Sequence, residues 1–185
     1  MKKTVSAIVL FLLIHFYTDA GSGVYYTGNG VVTFRSEAAQ ELISGTSNIL
    51  HGLIDIEKRT FAFRVLIRSF KGFNSGLQEQ HFNENYLESE KFPEATFRGK
   101  IIEQIDFTKD GKYTLRTKGL LSIHGVEQER IIKSDIVILS GSIHVNAKFN
   151  VLITDHDIKV PRVVHEKIAS EVEIEVLADF KRKEN

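Results

Sequence analysis

Ser142–Thr154 reads SIHVNAKFNVLIT, and its apolar residues fall on every second position. Ile143, Val145, Ala147, Phe149, Val151 and Ile153 share one side, while His144, Asn146, Lys148 and Asn150 take the other. Successive side chains of a strand point to opposite faces, so this period predicts a strand with one buried and one wetted face. Ser170–Phe180 repeats it, setting Val172, Ile174, Val176 and Ala178 against Glu171, Glu173, Glu175 and Asp179. Thr60–Arg68 does the same, with Phe61, Phe63, Val65 and Ile67 opposite Arg64 and Arg68.

Working outward, Gly30–Arg35, Asn48–Glu57, Thr96–Phe107, Tyr113–Ser122 and Glu129–Leu139 bring the expected strands to eight. In Thr96–Phe107 the inward set is Phe97, Ile101, Ile105 and Phe107. The strands are punctuated by turn signals at Lys58-Arg59, Lys109-Asp110-Gly111, His124-Gly125 and Ser140-Gly141, Gly111 being expected to supply a positive φ. Gly21–Asn29 reads as an irregular start, and Glu37–Ile43 has the composition of one or two helical turns. Asp155–Ala169 holds Pro161 and a short helical spacing at Val160, Val164 and Ile168. No long amphipathic helix and no βαβ alternation interrupts this series. Antiparallel strands with one apolar face must close into a barrel or stack as a sandwich. A barrel of eight has an interior that side chains fill or that holds one small ligand. The residues alone make the chain all-β, with an eight-stranded antiparallel barrel at least as favoured as a sandwich.

One stretch refuses the pattern. Gly72–Gly99, GFNSGLQEQHFNENYLESEKFPEATFRG, lies between the third and fourth strands and does not alternate until its end. It carries Leu77, Phe82, Tyr86, Leu87 and Phe92 before Pro93, more large apolar side chains than a solvated connector needs. Ser75-x-x-Gln78 is a capping-box spacing for a short helix. The reading is a partly helical flap packed over one barrel end.

Composition narrows the function classes. Formal net charge is zero, with 24 Lys plus Arg against 24 Asp plus Glu. No basic stripe exists on which nucleic acid would bind. Lys2 and Lys3 precede an apolar run from Val5 to Phe16 and then Thr18-Asp19-Ala20. This is the layout of a cleaved signal peptide over residues 1–20, too short for the ~20-residue apolar span of a membrane helix. The remaining residues 21–185 read as one domain. There is no cysteine, which removes disulfides, thiolate sites and a lipoprotein anchor together. The expected compartment is the periplasm, or secretion, with no transmembrane span in the mature chain. A homodimer is left open.

Chemistry-bearing patterns are sparse. Past Ala20 the histidines are His51, His81, His124, His144, His156 and His165, with neither the i,i+4 pair of a helical zinc motif nor a His-x-His. No metal site is expected. Asp155-His156-Asp157 sits at a strand-to-loop junction, where Asp serves turns as readily as acid–base chemistry. No G-x-S-x-G elbow or phosphate-binding glycine loop occurs. Phe63, Phe97, Ile101, Phe149 and Val151 on strands, with Phe82, Leu87 and Phe92 from the flap, either fill the core or wall a tunnel for an apolar ligand. His81 and His124 either hold backbone at the barrel end or offer a polar contact to a ligand head.

Longer motifs then point to a family. Gly52-x-x-Asp55, Phe61-x-Phe63, His81-Phe82, Tyr86-Leu87-Glu88-Ser89 and Phe92-Pro93-x-Ala95-Thr96-Phe97-x-Gly99 occur in order. Lys118-Gly119-x-Leu121-x-Ile123-His124-Gly125-Val126 follows, and then Phe149–Ile158, Pro161 and Lys167-Ile168-Ala169. This series resembles the YceI-like family of secreted bacterial proteins over nearly the whole mature chain. The resemblance implies an all-β, eight-stranded antiparallel, lipocalin-like barrel that holds a polyisoprenoid, quinone or related lipid in an apolar tunnel, with no catalytic set and no cofactor beyond such a ligand. The ligand-binding residues expected are then Phe63, His81, Phe82, Leu87, Phe92, Phe97, Ile101, Phe149 and Val151. Two other readings stand beside it: an envelope stress or interaction protein without a lipid, and an enzyme using His81 or His124 as base on an apolar substrate.

Overall fold

Each one-faced segment finds its partners in sequence order. The computed structural model describes residues 23–183, so the expected signal peptide lies outside the described residues. The strands are β1 (Val24–Glu37), β2 (Leu42–Asp55), β3 (Thr60–Leu66), β4 (Glu94–Ile101), β5 (Gly111–Ile123), β6 (Val126–Leu139), β7 (Ser142–Leu152) and β8 (Glu171–Arg182). Every strand pairs antiparallel with the next, and β8 returns to β1, closing an eight-stranded barrel. Closure leaves no sheet edge to pair with another chain. Charged residues such as Lys112, Arg116, Glu129 and Lys133 sit at exposed outward positions.

Turn chemistry fixes the register. His124 and Gly125 (φ 52° and 74°) and Ser140 and Gly141 (φ 50° and 76°) form two-residue hairpin turns with both residues left-handed. That backbone matches the right-handed twist of the flanking strands. The β2–β3 hairpin is wider than Lys58-Arg59 alone: residues 56–59 form the turn. Asp55 Oδ1 accepts from Lys58 N at 2.9 Å, and Arg59 takes φ 53°.

Several local expectations are corrected. The strand begins at Val24, not at Gly30, because register shifts between Thr27 and Val32 break the period of two that the sequence would otherwise display. Glu37–Ile43 is not helical. Glu37 pairs with Leu42 and Ser36 with Ile43, so residues 38–41 are a tight turn in a β-hairpin. Strand pairing has overridden a weak local preference. β4 ends at Ile101, and Phe107 reaches its 6% exposed position from a non-strand segment. Gly111 simply starts β5, without the positive φ expected of it; Asp110 contributes instead by accepting from Ser140 N at 3.0 Å.

The barrel is packed tightly at the end away from the flap. There Ile138, Ile143 and Phe180 are 2%, 0% and 0% exposed. Phe180 meets Phe63 edge-on at 5.6 Å. A Cβ on Gly52 would lie 2.8 Å from its ring, so the glycine makes room for this plug. Gly99 and Gly119 face each other between β4 and β5, where a Cβ on Gly99 would come within 2.1 Å of the Lys118 carbonyl oxygen.

Candidate ligand-binding site

The flap end gathers four connections: residues 38–41, residues 67–93, the His124-Gly125 turn and residues 153–170. Within the flap a single-turn helix, α1 (Gly76–His81), runs into a wider π-helical turn at Phe82–Tyr86. Ser75 Oγ accepts from Gln78 N at 3.2 Å, as the capping-box spacing predicted. Gln78 returns its bond one residue early, to Asn74 N at 3.1 Å. Capping stabilises a helix too short to persist alone.

Aromatic packing seats the flap. The Phe82 ring stacks on Phe34 of β1, with centroids 5.1 Å apart and planes 4° from parallel. Phe73 and Phe70 lie 5.0 and 5.9 Å from Phe82. Leu87, Ile67 and Ile158 form a second small cluster. Polar contacts tie down the far side of the flap. His124 Nδ1 donates to the His156 carbonyl at 3.1 Å, and its Nε2 lies 2.6 Å from Glu88 Oε2. His156 is 0% exposed, and its Nδ1 donates to the Val126 carbonyl at 3.0 Å. Burial depresses its pKa below the ordinary value of 6.5 and keeps the ring neutral.

Beneath this lid lies a cavity of about 580 Å³. Phe63, Phe97, Phe149, Val172, Ile174 and Val176 line it. All occupy inward positions of their strands, yet none reaches full burial. Side chains that point inward and remain accessible face a void, so the barrel is hollow from beneath the flap down to Ile101 and Ile143, and filled beyond them by Ile138 and Phe180. The volume is that of an ordinary small-molecule site. Polar liners are few. Thr117 Oγ1 is spent on the Ile132 carbonyl at 3.1 Å, and Arg64 on Glu94 at 3.1 Å. Tyr86 keeps its phenol proton, its pKa raised by burial. Glu41, Gln78, His81 and Lys167 line the cavity where it meets the flap end.

All the residues expected at the site line this cavity except Phe92. Phe92 instead lies edge-on to His124 at 4.7 Å, and a Cβ on Gly125 would fall 2.4 Å from its ring. It props the β5–β6 turn from outside the cavity. His124 is also absent from the lining, its ring nitrogens being spent on flap and backbone. Sequence reasoning missed Phe34, Phe70 and Phe73, because two of them follow the end of β3, where alternation has stopped. It also missed Lys167, although Val164 and Ile168, on the same turn, were visible as a spacing.

Among the described residues no group of three or more His, Asp or Glu is placed to hold a metal ion. No described helix is long and apolar enough to cross a membrane. The sequence profile of the YceI-like domain matches residues 25–180. The chain belongs to the YceI-like family. Its barrel is similar to a polyisoprenoid-binding domain from Saccharophagus degradans implicated in plant cell wall breakdown, with a TM-score of 0.74 and 12% identity over 88% of this chain and 99% of that one. It is also similar to Burkholderia cenocepacia BcnA, with a TM-score of 0.67 and 14% identity over 81% and 95% of the two chains. The Campylobacter jejuni YceI protein aligns at a TM-score of 0.50 and 15% identity, over 97% of this chain and 98% of that one. Identities this low speak for a shared fold alone. No curated protein matches. The YceI-like barrel is thus defined here by a closed sheet, a filled end and a capped hollow.

Proposed function

We propose that this protein binds one long apolar molecule, a polyisoprenoid, quinone or related lipid, in the cavity beneath the flap, and acts as a non-catalytic carrier or store in the bacterial envelope. The observation that carries the reading is the hollow, apolar-lined interior of the barrel beneath the flap. Leaving apolar walls facing a void is unfavourable, and a chain that fills it gains ~0.8 kcal/mol per buried methylene. Phe63, Phe82, Leu87, Phe97, Ile101, Phe149 and Val151 supply the wall, and His81 one polar contact at the rim. The Saccharophagus relative's description as polyisoprenoid-binding supports the ligand class. A non-catalytic role is supported by the histidines. Among the described residues no carboxylate bonds to His81, which lines the cavity, and His124, which has one, faces away. The basic-then-apolar leader ending at Ala20 supports export.

The test is solvent extraction of the protein purified from its own host, followed by mass spectrometry. One co-purifying apolar species at near-equimolar amount is expected. Recovery of none, with a crystal structure showing a water-filled interior, would overturn the reading.

A further inference from the structure

The cavity has a floor, and the floor is built across the barrel rather than along one strand. Ile143 lines the cavity, whereas the residues paired with it, Phe180 on β8 and Ile138 on β6, do not and are 0% and 2% exposed. In the sheet β8 is separated from β3 by β1 and β2, yet the Phe180 ring meets Phe63 of β3 edge-on, with centroids 5.6 Å apart. The ring therefore spans the lumen as a crossbar. Its path runs beside Gly52 of β2, the residue paired with Phe63. A Cβ there would lie 2.8 Å from the Phe180 ring and 3.0 Å from the Phe63 ring, so the crossbar takes this position because residue 52 has no side chain.

The rest of the floor comes from the β4–β5 connection, residues 102–110. Its Phe107 lines the deep end of the cavity and is 6% exposed. The connection is tied to the sheet it closes. Glu103 accepts from Arg116 N at 2.6 Å and from Arg116 Nε at 2.7 Å, and Ile102 N donates to the Arg116 carbonyl at 2.9 Å. Asp106 Oδ1 accepts from Thr108 N at 3.0 Å and holds the turn beside Phe107. Phe180 belongs to the closed sheet itself, so this floor stays in place when the flap moves. The tube thus has one mouth and a fixed depth.

We propose that Phe180, seated by Gly52, limits the length of the bound apolar chain, so that the protein selects its ligand by how much tail fits above this floor. The proposal rests on the apolar-ligand reading above and adds a length specificity to it. Every methylene that enters the cavity leaves water and strengthens binding. A methylene turned back by the floor stays wet and adds nothing. Affinity therefore climbs with tail length and breaks off at the length that fills the cavity. An open-ended tube would show no such break.

Titration of the delipidated protein with prenols lengthened one prenyl unit at a time, each kept below its own solubility limit, tests it. Each added unit is expected to tighten binding at least about tenfold until the cavity is full. The next unit should then change it by less than about twofold. Phe180→Ala moves the break to a longer prenol, and Phe180→Leu does so with a smaller cut in the core should the alanine variant fail to fold. Gly52→Ala, whose methyl group drives the Phe180 and Phe63 rings into the lumen, moves the break to a shorter prenol. Leu53→Ser, the next residue of β2 and 49% exposed on its outer face, leaves the break where it is. An unbroken climb through the longest prenol overturns the length limit and leaves the apolar reading intact. So does a break that stays at the parent length in both Phe180→Leu and Gly52→Ala. If no prenol of any length binds, the apolar reading falls and the length limit falls with it.

Discussion

Truncating two phenylalanines on the inner face distinguishes a hollow barrel from a filled one, whatever the ligand. Phe180 is 0% exposed and belongs to the main core cluster, touching Phe63 edge-on. Phe180→Ala should cost about 3–5 kcal/mol, because the ring's transfer energy and a new cavity add together. Phe149, on the cavity wall, stands outside that cluster and is only part-buried. The side of its ring that faces the void has no partner atoms to lose. Phe149→Ala should therefore cost about 1–2 kcal/mol, under half as much. Urea unfolding of delipidated protein measures both, provided the slope with denaturant is unchanged so that the midpoint reports stability. Adding a prenol at a hundredfold excess over its Kd should stabilise the parent by about 2.7 kcal/mol by linkage. Phe149→Ala should weaken that gain, and Phe180→Ala should preserve it. Equal costs for the two truncations would mean that Phe149 is packed like Phe180, and the hollow would not exist.

Three further outcomes follow from the same geometry. Glu88→Gln removes the carboxylate facing His124 Nε2 at 2.6 Å. Amide hydrogen exchange across residues 76–92 should then speed up, with the β5–β6 ladder unaffected. His156 has a depressed folded-state pKa from burial, so below its ordinary 6.5 the unfolded chain binds more protons than the native one. Stability should decline as pH falls below that value, and the decline should be shallower in His156→Gln by urea unfolding. Gly99→Val places a Cβ within 2.1 Å of the Lys118 carbonyl. It should cost on the order of 2–4 kcal/mol by forcing β4 off β5, read as a lowered thermal midpoint.

The walls of the barrel were legible because alternation is a direct record of which face is dry. Val145 and Phe149 could be assigned inward without knowing what they faced, since the period of two is the same for a filled and a hollow interior. That is why the sequence left core and tunnel open. The distinction depends on volume, which no single strand encodes. Alternation failed where the backbone departs from period two. The register shifts around Gly30 hid β1 before that residue, and the turn at residues 38–41 looked helical because Glu, Ala and Gln favour helices. Phe92 was misplaced for a related reason. Its neighbours Phe82 and Leu87 do line the cavity, but Glu88 at φ 42° turns the chain outward before Phe92 is reached.

A closed barrel can afford to be hollow on one side because its walls are held by ladder hydrogen bonds that need no contact across the interior. The apolar packing is then concentrated where the tube must be sealed. Phe180, Ile143 and Ile138 seal one end, and the cluster of Phe34, Phe70, Phe73 and Phe82 seals the other. The two seals differ in kind. The first is built from strand residues within the continuous sheet, so it opens only when the barrel does. The second depends on a flap whose helix is six residues long and has no buried side chain of its own, fixed to the barrel by ring stacking and by the Glu88–His124 contact. Segments with few buried contacts open at lower free energy than the core. Exchange of a long apolar molecule should therefore pass through the flap end, and substitutions in the flap should change the rate of exchange more than the affinity.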